Sequence, residues 1–158
     1  MEHIVVTGKA VFRIRHAASP SERQMTVTIT RDDRLEWTYH HASWRLLAVG
    51  WGCGSAYLWS ARDLVVLPDD PGEDPSVLTV DEDLLYVFGT VTGWVLVCET
   101  SVRLITGQDQ AARIDLADTI ERAWWTGETL QILDGRGTLT AITVTGDRLV
   151  VTPGQVPA

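Results

Sequence analysis

Three stretches of this chain repeat one another at a nearly constant spacing, and that period limits the possible folds more than any other feature. The middle copy, Leu84–Leu116, reads LLYVFGTVTGWVLVCETSVRLITGQDQAARIDL. Its runs Leu84–Phe88, Trp94–Cys98, Val102–Ile105 and Arg113–Leu116 are four or five residues long and are separated by turn residues. That is the pattern of short strands. The same order stands earlier in Leu46–Trp51, Tyr57–Trp59, Leu64–Leu67 and Val77–Val80. It stands again later in Ile120–Trp125, Leu130–Leu133, Leu139–Val144 and Arg148–Val151. Trp51, Phe88 and Trp125 are 37 and 37 residues apart. Leu67, Ile105 and Ile142 are 38 and 37 apart, and Leu78, Ile114 and Leu149 are 36 and 35 apart. A period of roughly 20–50 residues marks a solenoid, a propeller or an array.

On WGCGSAYLWSARDLVVL, FGTVTGWVLVCETSVRLI and WTGETLQILDGRGTLTAI the chain resembles β-propeller blades of the quinoprotein or WD-like kind, over Ala42–Pro153. The resemblance implies an all-β fold with three propeller-like four-stranded repeats of about 37 residues. It implies no particular activity, because propellers host unrelated ones. The WD dipeptide and a blade-closing signature are absent. A β-trefoil, also built from three four-stranded repeats of similar length, is the alternative fold. The expected organisation is one domain over 1–158, with a meander at 1–40 and repeat units at 41–82, 83–119 and 120–152. Closed propellers use about 4–8 blades. Either the N-terminal region supplies a fourth blade or two chains pair as a homodimer, and the poor match of Ile4–Tyr39 to the repeat favours the homodimer.

In that N-terminal region Ala10–Arg15 alternates, with Val11, Arg13 and Arg15 against Phe12 and Ile14. Met25, Val27 and Ile29 alternate with threonines, and Leu35, Trp37 and Tyr39 stand in phase. These three runs predict a three-stranded antiparallel meander with one wet face. Ile4–Val6 is a short run broken at Gly8, and Ala18–Glu22 is a loop. Pro68–Ser76 reads as a rigid solvated loop, and its spacing does not fit a calcium-binding loop. Ala111–Ala123 has some helical phase, but the repeat assigns it strand and then loop. Asp134–Gly137 reads as a hairpin turn, and Val151–Ala158 as a frayed end.

Composition narrows the function classes. The net charge is −8, and Lys9 is the only lysine beside twelve arginines. A nucleic-acid partner calls for a basic stripe, and an anionic membrane surface for basic clusters, so neither is expected. Met1–Phe12 lacks a basic start and an apolar run of the signal-peptide kind, and no apolar run approaches the length of a membrane span. A cytoplasmic location is therefore expected. There Cys53 and Cys98 default to free thiols. No metal or cofactor is expected: none of His3, His16, His40 and His41 sits in a ligand motif, and G-x-S-x-G, P-loop and GxGxxG patterns are missing.

Blade geometry assembles one chemically loaded surface. Loops joining one unit to the next share a face with loops joining second to third strands. They carry Asp81, Glu82, Asp83, Asp118, Glu121, Asp63, Glu99 and Asp134, against Arg62, Arg122 and Arg136. The leading expectation is a non-enzymatic protein-interaction module that binds a partner of basic character through this acidic face, electrostatically steered. Size and acidity fit a bacterial accessory or immunity-type binding protein. Two alternatives stand beside it. One is a small-ligand or carbohydrate binder using surface tryptophans Trp94, Trp124 and Trp125. The other is a hydrolase built on loop carboxylates, which would need two acids at a fixed separation.

Overall fold

The computed structural model describes residues 2–7, 9–19, 24–41, 48–52, 54–68, 70, 73–107 and 109–154. The described residues form strands, turns and bends with no helix. Accordingly, no helix among them is long and apolar enough to cross a membrane. The strands are β1 (Glu2–Val6), β2 (Val11–Ser19), β3 (Gln24–Arg31), β4 (Arg34–His41), β5 (Ala48–Gly52), β6 (Ser55–Ser60), β7 (Asp63–Leu67) and β8 (Ser76–Thr79). They continue with β9 (Leu84–Gly89), β10 (Gly93–Cys98), β11 (Ser101–Thr106), β12 (Asp109–Asp115), β13 (Ile120–Thr126), β14 (Thr129–Asp134), β15 (Leu139–Thr145) and β16 (Arg148–Pro153). They make four antiparallel sheets, β1–β4, β5–β8, β9–β12 and β13–β16, each with its strands paired in chain order. The all-β class and the repeated four-stranded unit are therefore present. The chain divides into two compact units, Met1–Val80 and Asp81–Ala158.

The first unit holds the first two sheets. Its N-terminal sheet has four strands, not the expected three. Glu2–Val6 pairs antiparallel with Val11–Arg15, so the short Ile4–Val6 run is a true edge strand. β2 runs on through Ala18 and Ser19, which the sequence assigned to a loop. The alternation along β2 and β3 is the one that period 2 requires: Phe12, Ile14, Val27 and Ile29 are buried, while Arg13 and Arg15 lie on the other face. These four pack with Ala56, Leu58, Val65 and Leu67 of the second sheet to form one core. Asp32 and Asp33, both at positive φ, make the two-residue turn between Arg31 and Arg34, a hairpin conformation that aspartate tolerates. Buried Arg31 lies over the Phe12 ring and donates to the Pro68 carbonyl at 2.5 Å, which ties down the start of the proline-rich loop.

The second unit pairs the third and fourth sheets. β10 and β11 are buried along nearly their whole length, on both faces. That explains why WVLVC is a continuous apolar run rather than an alternating one. Val95, Val97, Val102 and Leu104 face Ile120, Leu130, Ile132 and Ile142 in the core between the two sheets. Complete burial of each such aliphatic side chain stabilises by about 1.5–3 kcal/mol.

The repeat has a structural meaning. Trp51, Phe88 and Trp125 each stand in the first strand of their sheet, one ladder pair before the hairpin ends. Phe88 and Trp125 meet edge to face, with ring centroids 5.5 Å apart. The row from Trp51 runs through Ala56 to Leu67, and the row from Trp125 through Leu130 to Ile142. In the third sheet the row from Phe88 runs through Val95 to Leu104, not Ile105, which pairs with Trp94 instead. Gly93, where β10 begins, must be glycine: a Cβ there would lie 1.9 Å from the Ile105 carbonyl oxygen. Residues 111–123 hold strand, loop and strand, as the repeat assigned. The strand β16 extends through Pro153, so Val151–Pro153 is paired rather than frayed.

Candidate functional site

In the second unit the residues before β9 and the turns β10–β11, β12–β13 and β14–β15 gather at one end of its sheets. Main-chain bonds fix the arrangement. Leu116 N donates to Thr100 O at 2.9 Å, Ile120 N to Glu99 O at 2.8 Å, and Gly135 N to Thr119 O at 2.8 Å. Ladder shifts at Val97/Cys98 and Ile120/Arg122 occur at the same end, where such irregularities re-aim side chains.

The centre of this end is Arg103. Period 2 places it on the β11 face opposite Val102 and Leu104, opposite Leu96 in the ladder. Its side chain is only 6% exposed. A guanidinium that deep needs charged partners. Its Nη2 donates to Glu82 at 2.6 Å and to Asp81, and its Nε donates to Ser101 Oγ at 3.1 Å. Glu82 also accepts from Thr100 N at 2.8 Å, Thr100 Oγ1 at 2.6 Å and Ser101 Oγ at 2.5 Å. Arg113 Nη2 stands 3.7 Å from Glu82 while its Nε donates to Asp115 at 2.8 Å. Burial of the Glu82 carboxyl favours its neutral form. The bonds from Ser101, Thr100 and Arg103 outweigh that and hold its pKa down to about 2. The hydrogen bond and charge of Arg103 also lower the Asp81 pKa. Cys98, buried and free, is pushed up by desolvation, against the pull of Arg103. It is an inert structural thiol. Cys53 lies outside the described residues.

The structure sorts the candidate residues. Asp81, Glu82, Asp83, Asp118, Glu121 and Asp134 all belong to this end of the second unit. Asp81 is 74% exposed, whereas Glu82 is turned inward and held by four donor atoms. Asp118 Oδ2 lies 3.5 Å from Arg136 Nε, and its Oδ1 accepts from Thr119 N at 2.7 Å. Glu121 is exposed. Asp134 is buried, and Oδ1 accepts from Arg136 N and Thr138 N, both at 2.9 Å. It closes its own turn. Asp134→Ala is expected to cost about 1–2 kcal/mol in urea unfolding. Asp63 belongs to the first unit and accepts from Thr79 Oγ1 at 2.7 Å.

Arg103 and Arg113 were not among the sequence candidates, which came from loops while these two lie on strands. The readable signal was a lone arginine inside the apolar run VRLI. The tryptophans also divide. Trp94 is 5% exposed, so it is a core residue and not a surface one. Trp124 is half-buried with the Arg122 guanidinium 5.0 Å over its ring. Trp125 is half-buried and lines a cleft at the opposite end of the unit. Among the described residues no three His, Cys, Asp or Glu side chains are grouped to hold a metal ion. No protein-family model matches the chain, and a search of curated proteins finds no match.

Proposed function

We propose that this chain is a non-enzymatic interaction module built of blade-like repeats, whose carboxylate-rich end of the second unit meets a protein partner of basic character. The blade reading is supported by four sheets that each pair strictly in chain order. A trefoil would instead share strands between repeats in a barrel. The carrying observation is the Arg103 network. It consumes Glu82 internally but presents the Asp81 carboxylate at a fixed position, 74% exposed. A charge held in place loses little entropy on meeting a partner. Around it stand Asp83, Asp115, Asp118 and Glu121, against Arg113, Arg122 and Arg136, so the end stays net acidic. A homodimer belongs to the same reading, supported by edge strand β1, whose Ile4 and Val6 are 56% and 69% exposed.

The test uses an octa-arginine peptide as the probe at several salt concentrations. Asp115→Lys with Glu121→Lys is expected to weaken its binding about tenfold at low salt, with less effect as salt rises. The same two reversals placed at Asp109 and Asp147, away from this end, are expected to have a smaller effect. Equal weakening by both pairs would show that only net charge matters and would remove this end as a site.

A further inference from the structure

The opposite end of the second unit carries a cleft of about 610 Å³. Its walls come from the turn after β9 (Gly89–Thr92), from Trp125 and the β13–β14 turn, and from Val144 and Gly146 near the β15–β16 turn. The hairpins are tight because Gly127 and Gly146 both take positive φ, at 61°. Their lack of side chains leaves the indole of Trp125 open to the cleft. Trp125 is braced from behind by Phe88, which is stacked in turn on Tyr86 at 6.0 Å. Val91, 98% exposed, stands at the rim. Apolar walls with few polar groups are typical of pockets for small molecules or single side chains.

The polar groups decide the ligand class. Among the described residues Glu128 brings the cleft's only charge, and no cation is paired with it. The lining has no arginine, lysine or histidine, so an anion finds nothing to hold it. Thr90 Oγ1 already accepts from Gly93 N at 3.0 Å. A sugar, with many hydroxyls to satisfy, would find three polar side chains in the lining: Thr92, Glu128 and the remaining capacity of the Thr90 hydroxyl. A cation with an apolar body needs less: an aromatic face for its methyl or methylene groups and one carboxylate for its charge. The chain's net charge of −8 adds to the attraction.

We propose that this cleft binds an organic ammonium group, its alkyl body against Trp125 and its charge toward Glu128. The group is either a free alkylammonium or a lysine side chain of a partner. The site is independent of the acidic end described above. The experiment titrates the full chain with choline, with its neutral isostere 3,3-dimethylbutan-1-ol, and with glucose, following backbone amide shifts. Choline is expected to move the amides of residues 89–92, 125–128 and 144–146 and to bind about tenfold more tightly than the isostere. Glu128→Gln, on an exposed turn, is expected to erase that difference without changing stability. Asp115→Lys, which alters only the overall charge, is expected to weaken choline binding far less than Glu128→Gln does. A Gly-Lys-Gly peptide that binds more tightly than choline assigns the site to a protein side chain, and the reverse order assigns it to a free amine. Equal binding of choline and the isostere, preference for glucose, or shifts confined to other residues would overturn the proposal. So would the absence of any shift at saturating concentration.

Discussion

Replacing Arg103 by leucine is expected to lower the unfolding free energy by about 3 kcal/mol, although leucine is the more apolar residue. The reason lies in what remains. Arg103 is 6% exposed and joins Asp81, Glu82 and Ser101. Without it Glu82, 15% exposed, keeps its charge in a half-dry setting with hydroxyl and amide donors and only the more distant Arg113 guanidinium, at 3.7 Å, to offset it. Arg103→Lys is expected to recover only part of the loss, because an ammonium cannot reach two carboxylates and a hydroxyl with the fork geometry of a guanidinium. Urea midpoints with unchanged slopes would measure both effects. A loss below about 1 kcal/mol would place the network among weak surface pairs and undo its role as the anchor of this end.

The second large effect is in acid. Glu82 titrates near pH 2 in the folded chain, against 4.5 for the free side chain. A carboxyl whose folded pKa is depressed stabilises the native state above its unfolded pKa. That stabilisation fades as pH falls through the window from about 4.5 to about 2. The difference of about 2.5 units corresponds to about 3 kcal/mol as an order of magnitude. Asp81 shifts in the same direction and adds to the slope. Glu82→Gln is expected to be less stable than the parent at pH 7, by about the same amount, and to converge with it near pH 2. Parallel stability curves over that range would contradict the assignment. Glu82→Gln and Arg103→Leu touch the same bonds, so their combined cost is expected to fall well short of the sum.

How far the sequence could be read follows from what each signal depends on. The strands of the last three sheets were legible because apolar runs and turn residues are local, and the recurrence near 37 residues gives their order, though not the exact ladder row of Ile105. Glu2–Val6 was not legible: a five-residue edge strand gains its order from pairing with Val11–Arg15, not from its own pattern. The gathering of Asp81, Asp118 and Asp134 at one end was expected from the blade geometry that the resemblance implies, in which these loops share a face. The internal commitment of Glu82 and Asp134 did not, since it depends on Ser101, Thr138 and Arg103 lying within hydrogen-bond reach. Trp94 and Trp125 look alike in sequence, yet one is a core residue and the other lines a cleft. The difference is the face of the strand each occupies, and a ladder has to be seen before the face is known.

The central claim, that the carboxylate end of the second unit meets a basic partner, is tested most directly by where a basic peptide lands. Backbone amide shifts of the full chain would be followed during titration with octa-arginine. The account predicts that the largest changes fall on residues 81–83, 99–100 and 115–121 and shrink with salt. Changes spread evenly over the acidic residues of both units, or concentrated elsewhere, would contradict it.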